Sequence, residues 1–328
     1  MLGPVTGTKV LLIHLVPSEA EATAKVWNPL HSLPNGGFAF ADQLQHLDHF
    51  ARLTLRVTNH PAERAFLAAF LGHCTRHFGH VLALVAPEAP RAALAEVAAR
   101  ATDTFILAQQ TVDSLFEFNQ LARELAAARA GEVTNLKLVL CLDHDEVPQP
   151  TEDFLKQIGQ PAHLNLRESP ASVDALHAHC GGHWPMAFKF DLRRLAREIG
   201  RCRVGLALSS GGAKGLAHIG VLQVLEEHGI EVDFVAGTSM GSYIGALWAF
   251  GHDGQFIERK ARELEGKWGL LKLIDPAFPP RRGFIQGHAI RERLERSIGN
   301  ARFEQLARPL RVVTTRFDTL ERVVFDTG

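Results

Sequence analysis

The sequence predicts an α/β protein in which an N-terminal doubly wound, Rossmann-like domain precedes a second α/β domain. Three observations predict it. Strand-length apolar runs alternate with helical patterns through the first half. A glycine-rich turn, "SSGGAKG" (Ser209–Gly215), separates a strand-like run from a helix-like one. A further strand-like run then ends in "GTSMG" (Gly237–Gly241), again followed by a helical pattern.

The first half is carried by "KVLLIHLV" (Lys9–Val16), "HVLALVAP" (His80–Pro87), "DTFILAQ" (Asp103–Gln109), "LKLVLCLD" (Leu136–Asp143) and "HLNLR" (His163–Arg167). Helical stretches such as "PAERAFLAAFLGHCTRHF" and "TVDSLFEFNQLARELAAARA" lie between them. This alternation argues for a parallel sheet covered on both faces. The first run has one basic residue before it, Lys9, and contains His14, so it reads as a strand rather than a signal peptide. No G-x-x-x-x-G-K-[ST] occurs, and no G-x-G-x-x-G follows the first strand. "PNGGF" (Pro34–Phe38) has glycines but no lysine after them. Residues 1–170 therefore read as a scaffold or docking domain of unknown role.

Residues 171–202 read as a surface linker with a short amphipathic helix at its end. His177, His179 and His183 lie there, but no carboxylate or cysteine sits at a ligand spacing, so no metal site is expected. Cys74, Cys141, Cys180 and Cys202 form no C-x-x-C pair, which favours reduced thiols and a cytoplasmic setting. Lys and Arg number 35 and Asp and Glu 36, a formal net charge of −1, which gives no electrostatic reason to expect nucleic acid. No apolar run approaches the roughly 20 residues of a membrane span.

Residues 203–328 form the second domain. "RVGLALS" (Arg203–Ser209) reads as a buried strand. "LAHIGVLQVLEEHG" reads as a helix with Ile219, Leu222 and Leu225 near helical spacing and Gly229 as its stop. "EVDFVAG" is the next strand and "SMGSYIGALWAFG" the next helix. A dinucleotide loop fits poorly: Ser210 stands at its first glycine position, Lys214 is not in Walker order, and Asp233 lies inside the strand rather than at its end. A nucleophile elbow uses every part. Gly237 and Gly241 permit a sharp turn, Ser239 presents its hydroxyl, and the following helix N-terminus favours a developing anion. The backbone N–H groups of Gly211, Gly212 and Ala213 then read as an oxyanion hole, within a turn running on through Lys214 and Gly215.

The stretch "GLALSSGGAKGLAHIGVLQVLEEHGIEVDFVAGTSMGSYIGALWA" resembles the patatin-like phospholipase family, in particular the neuropathy target esterase branch. The resemblance is strong from Arg203 to Phe250, and "RPLRVVTTRFDTLERVVFDTG" extends it to the C-terminus. It implies Ser239 as nucleophile, with Gly211, Gly212 and Gly215 on the oxyanion turn. Lys214 falls on a position commonly Arg or Lys; Ser210 departs from the family's first glycine. It implies a Ser–Asp dyad whose aspartate lies in a D-G-G or D-G-A motif. No such motif follows Ser239, and Asp318 and Asp326 lack its context, so the aspartate is expected beyond Gly328 and the catalytic domain is expected to be incomplete. The implied substrate is a phospholipid or lysophospholipid, with no cofactor and with peripheral contact to the inner face of a membrane left open. Two alternatives stand beside it. One is a Ser–His thioesterase or small-ester hydrolase, although His252 and His288 read as structural and His218 as a residue orienting the turn. The other is a non-catalytic regulatory protein.

Overall fold

The computed structural model describes residues 9–17, 26–27, 45–47, 50–57, 61–86, 88–109, 111–128, 136–143, 163–168, 186–263 and 287–328. "PNGGF", Cys180 and the three linker histidines lie outside the described residues. The chain divides into two compact units, Met1–Cys202 and Arg203–Gly328.

In the first unit the order is β1 (Val10–Pro17), β2 (Val26–Trp27), β3 (Gln45–Leu47), β4 (Phe50–Val57), α1 (Pro61–His77), β5 (His80–Val85), α2 (Arg91–Arg100), β6 (Thr104–Gln109), α3 (Val112–Ala128), β7 (Leu136–Asp143), β8 (Leu164–Glu168) and α4 (Met186–Ile199). Strands β2, β4, β1 and β5 pair in that order, all parallel, with β3 antiparallel on β4. One face of this sheet is apolar because alternate residues of each strand point to it. Leu11, Ile13, Leu15, Leu53 and Leu55 are buried there with Leu67 and Phe70 of α1 and Ala93 and Val97 of α2.

Strands β6, β7 and β8 form a second parallel sheet. Leu138, Leu140 and Leu142 of β7 pack with Leu115 and Phe118 of α3. Val139 packs with Phe188 of α4 on the other face. Burial on both faces explains why "LKLVLCLD" shows little polar alternation. The expected α/β class with a Rossmann-like first domain holds; among the described residues its hydrogen-bonded ladders form two sheets. Strand β4 is also an addition: Arg52 and Arg56 break its apolar run, and the sequence reading passed over it.

Helix α4 corrects the linker reading for its own residues. Its Phe188, Asp191, Arg194 and Glu198 are all buried. Asp191 accepts from Arg167 Nε and Nη2, each at 2.8 Å, and from the Arg167 backbone N–H at 3.0 Å. Glu198 accepts from Lys137 Nζ at 2.6 Å and lies 2.8 Å from His163 Nε2. Buried carboxylates are tolerated because each is paired and hydrogen-bonded.

The second unit contains β9 (Gly205–Leu208), a 3₁₀ turn (Gly212–Leu216), α5 (Ala217–Glu227), β10 (Phe234–Gly237), α6 (Met240–Phe250), α7 (Gly254–Arg262), α8 (His288–Ile298), a second 3₁₀ turn (Phe303–Gln305), β11 (Leu310–Thr315) and β12 (Arg322–Phe325). The sheet order is β12-β11-β10-β9; β9, β10 and β11 are parallel and β12 is antiparallel to β11. Leu208, Leu222, Val235, Ile244, Leu247 and Trp248 form its core. Trp248 Nε1 donates to Glu226 at 2.7 Å, and Glu226 also accepts the Gly254 N–H at 2.9 Å, tying α5, α6 and α7 together. Asp233 is fully buried and accepts the Val204 N–H at 2.8 Å, so it fastens the start of β9 rather than facing a ligand. Both glycine-bearing turns stand at the carboxyl edge of β9 and β10, where ligands of open parallel sheets bind.

Candidate active site

Ser239 stands between β10 and α6 with φ 51° and ψ −123°, a conformation that non-glycine residues rarely adopt. Its carbonyl holds the turn by accepting the N–H groups of Ser242 (2.9 Å) and Tyr243 (3.1 Å) and the Ser242 hydroxyl (2.7 Å). The flanking glycines are required by close approach. A Cβ on Gly237 would lie 2.6 Å from the Gly241 carbonyl oxygen and from the Ser242 nitrogen. One on Gly241 would drive into the Leu208 carbonyl and lie 2.6 Å from the Ser209 oxygen. The pattern thus lets α6 start directly against the end of β9. Ser239 is exposed there, and no hydrogen bond of its Oγ is present among the described residues.

The glycine turn divides by role. Gly212 has φ +53° and open space where a Cβ would sit. Gly215 is buried, and a Cβ on it would lie 2.6 Å from Met240 Cγ; it lets the turn press onto the first residue of α6. The Lys214 N–H donates to the Gly211 carbonyl at 3.0 Å, so that amide is used within the turn. The Gly212 and Ala213 amides precede this first hydrogen bond and have no helical acceptor. Gly211 is extended at φ 172° and needs no glycine conformation, although a Cβ on it would lie 3.1 Å from the Gly215 nitrogen. His218 Nε2 lies 2.9 Å from the Ser209 carbonyl oxygen and anchors the turn to the end of β9. The Met240 amide, one residue past Ser239, begins α6 and was not singled out from sequence. Its signal was the elbow itself, since the residue after such a serine starts the helix.

The remaining candidates stand elsewhere. His252 Nε2 lies 2.9 Å from the Ser297 carbonyl oxygen, and its ring stacks on Phe256 at 3.8 Å. His288 is the first residue of α8. Asp318 is exposed in the turn between β11 and β12, where it accepts the Thr319 N–H at 3.1 Å. Asp326 lies 3.8 Å from Arg311 Nε. Among the described residues none of these is bonded to Ser239. An apolar depression adjoins the elbow, lined by Leu216, Met240, Tyr243, Leu247 and Ile257, with Lys260 also on its wall. Burial pushes the Tyr243 phenol above its ordinary range. From sequence, Met240, Tyr243 and Leu247 carried only helical periodicity, the signature of any packed helix. Among the described residues no cluster of His, Cys, Asp or Glu is placed to hold a metal ion, and no helix is long and apolar enough to cross a membrane.

Residues 206–327 match the Patatin family model, described as patatin-like phospholipase. Lysophospholipase NTE1 of Phaeosphaeria nodorum is 38% identical over 119 residues, covering 36% of this chain and 8% of the relative. Lysophospholipase nte1 of Aspergillus fumigatus is 39% identical over 119 residues, with the same two shares. The chain therefore spans about 8% of the length of the curated relatives it matches. Among solved structures, the MinC:MinD cell division protein complex of Aquifex aeolicus superposes with TM-score 0.44 at 16% identity, over 61% of this chain and 84% of that one, a likeness that bears on neither fold nor function. The elbow serine, the glycine turn pressed against it and these sequence matches fall in the same unit, whose residues 206–327 are similar to the patatin-like phospholipase family and to NTE-type lysophospholipases.

Proposed function

We propose that the 203–328 unit contributes the nucleophile and oxyanion site of a serine esterase acting on acyl esters of phospholipids or lysophospholipids. The observation that carries the reading is the positive-φ serine at a strand-to-helix turn, with both flanking glycines demanded by backbone approach. Ser239 Oγ attacks the ester carbonyl carbon, and its proton passes to a carboxylate base. The oxyanion is met by the Gly212 and Ala213 amides and by the amino end of α6, beginning with the Met240 amide. The base returns the proton to the departing glycerol oxygen. Water, deprotonated by the same base, then attacks the acyl-enzyme; the fatty acid leaves and Ser239 is restored. The apolar side chains of Met240 and Tyr243 beside the elbow offer apolar surface to the acyl chain.

The base is an aspartate, as the resemblance implies, and no described carboxylate is bonded to Ser239. Supporting this, His218 and His252 are each engaged with backbone carbonyls, and Asp318 and Asp326 lie near Arg316 and Arg311. An amphiphilic substrate of this kind is met at a membrane surface, so the protein is proposed to work in the cytoplasm in peripheral contact with a bilayer. Labelling a longer, active form with a fluorophosphonate probe and mapping the adduct by mass spectrometry tests the nucleophile. The adduct is expected on Ser239; one on Ser209, Ser210 or Ser242 overturns the assignment.

A further inference from the structure

The first unit carries a second feature with chemistry of its own. On the sheet face turned away from α1 and α2, the apolar pattern of β4 breaks. Reading β4 at alternate positions gives Phe50, Arg52, Thr54 and Arg56. The parallel register sets Leu12 of β1 beside Arg52 and His14 beside Thr54. Ala196 and Ile199 of α4 pack with Val10, Phe50 and Leu82 at the amino end of this face. Arg52, His14, Thr54 and Arg56 follow along the middle of the strands, with Arg56 nearest the carboxyl end.

This arrangement is costly for the chain alone. Arg52 and Arg56 are half-buried, and the Nε of each is shielded from water without a hydrogen-bond partner. Among the described residues neither guanidinium has a carboxylate partner. Thr54 is 7% exposed. His14 is held below its ordinary value, by burial first and then by the charge of Arg52, so the local field among the described residues is positive. Buried cations without a counter-charge are rare unless an anion completes them. Arg52 and Arg56 are four residues apart on one strand, about 13 Å along it. On that face Thr54 stands between them on β4, with His14 beside it on β1.

We propose that this face is an anion site in which Arg52 and Arg56 clasp a phosphate group over Thr54 and His14. The planar guanidinium forks match phosphate oxygens, and the Thr54 hydroxyl and His14 ring add donors. The site lies on the face of the sheet along the middle of β1 and β4. It is built from side chains, so the lack of a glycine phosphate loop in residues 1–170 does not oppose it. The phosphate can belong to a soluble compound or to a lipid headgroup, and the test separates them.

The 328-residue chain is titrated with inorganic pyrophosphate by calorimetry, and separately sedimented with phosphatidylcholine vesicles with and without phosphatidate. Saturable binding of pyrophosphate, or sedimentation that needs phosphatidate, is expected. Either is weakened about tenfold or more in Arg52→Gln and in Arg56→Gln. Pyrophosphate binding identifies a soluble ligand; phosphatidate-dependent sedimentation without it identifies a headgroup. Failure of both probes, or affinity unchanged in both variants, overturns the proposal. The unaltered chain supplies a readout independent of variant folding. The His14 titration, followed by NMR and assigned with His14→Gln, should shift to higher pH when pyrophosphate saturates the protein, because the anion offsets Arg52. Bound pyrophosphate that leaves His14 unmoved lies elsewhere and overturns the site.

Discussion

Ser239 keeps a conformation worth roughly 1–3 kcal/mol of strain because three hydrogen bonds to its carbonyl hold the turn. Glycine would relieve that strain and alanine would not. Ser239→Gly is therefore expected to resist urea better than Ser239→Ala, by about 1 kcal/mol, with both inactive in a longer form. Equal stabilities would show the turn to be unstrained. Gly241→Ala should cost about 1–3 kcal/mol in the same assay, because its Cβ meets the Leu208 and Ser209 carbonyls rather than a flexible side chain. Gly212→Val differs, since nothing crowds that position. In a longer active form it should leave the fold intact yet lower kcat by roughly 10²–10³, by disturbing a positive-φ amide donor. Normal turnover in Gly212→Val would remove the turn from the mechanism. The glycines and the serine were legible from sequence because sharp turns and backbone approach demand particular residues locally. The division of the turn was not. That Lys214 spends its amide on Gly211, and that Gly215 serves Met240, depends on where α6 lands.

At the scale of elements, α4 is the part that periodicity described and misjudged. Its amphipathic pattern is legible, but which of its polar residues turn inward is not; Asp191 and Glu198 do. They are buried because Arg167, Lys137 and His163 reach them from β8, β7 and the segment between them. Asp191→Ala should destabilise the first unit by about 3–5 kcal/mol, since it removes the buried carboxylate shared by Arg167 and Arg194. Thermal unfolding measures this, and a loss under 1 kcal/mol would mean that the pair is solvent-screened. Strand β4 was missed for a related reason: Arg52 and Arg56 interrupt its apolar face, and only pairing with β1 reveals it as a strand. Helix α1 offers a chemical check. Burial pushes the Cys74 thiol up to about 12 and leaves it 0% exposed, so it stays protonated at pH 8. Iodoacetamide should modify it only after denaturant is added; native-state alkylation would show that α1 opens.

For the whole molecule, the two units carry separate chemistry: a basic sheet face in the first and a strained serine in the second. General-base assistance is commonly worth about 10²–10⁴ in rate, so lysophospholipid turnover by the 328-residue chain reports whether a base acts within it. Robust turnover by this chain, abolished in Ser239→Ala, would locate the base within it and redirect attention to His218, Asp318 and Asp326. The sequence by itself determined the α/β class, the strand–turn–helix order around Ser239 and the glycines that shape both turns. These follow from local rules: side-chain periodicity and the φ angles a residue tolerates. Only the tertiary structure decided that the first unit pairs as two sheets, that α4 is buried, which amides of the glycine turn stay unpaired, and that Arg52, His14, Thr54 and Arg56 share one face. Each depends on strand register or helix placement between residues distant in sequence, and neither is written into any short stretch of the chain.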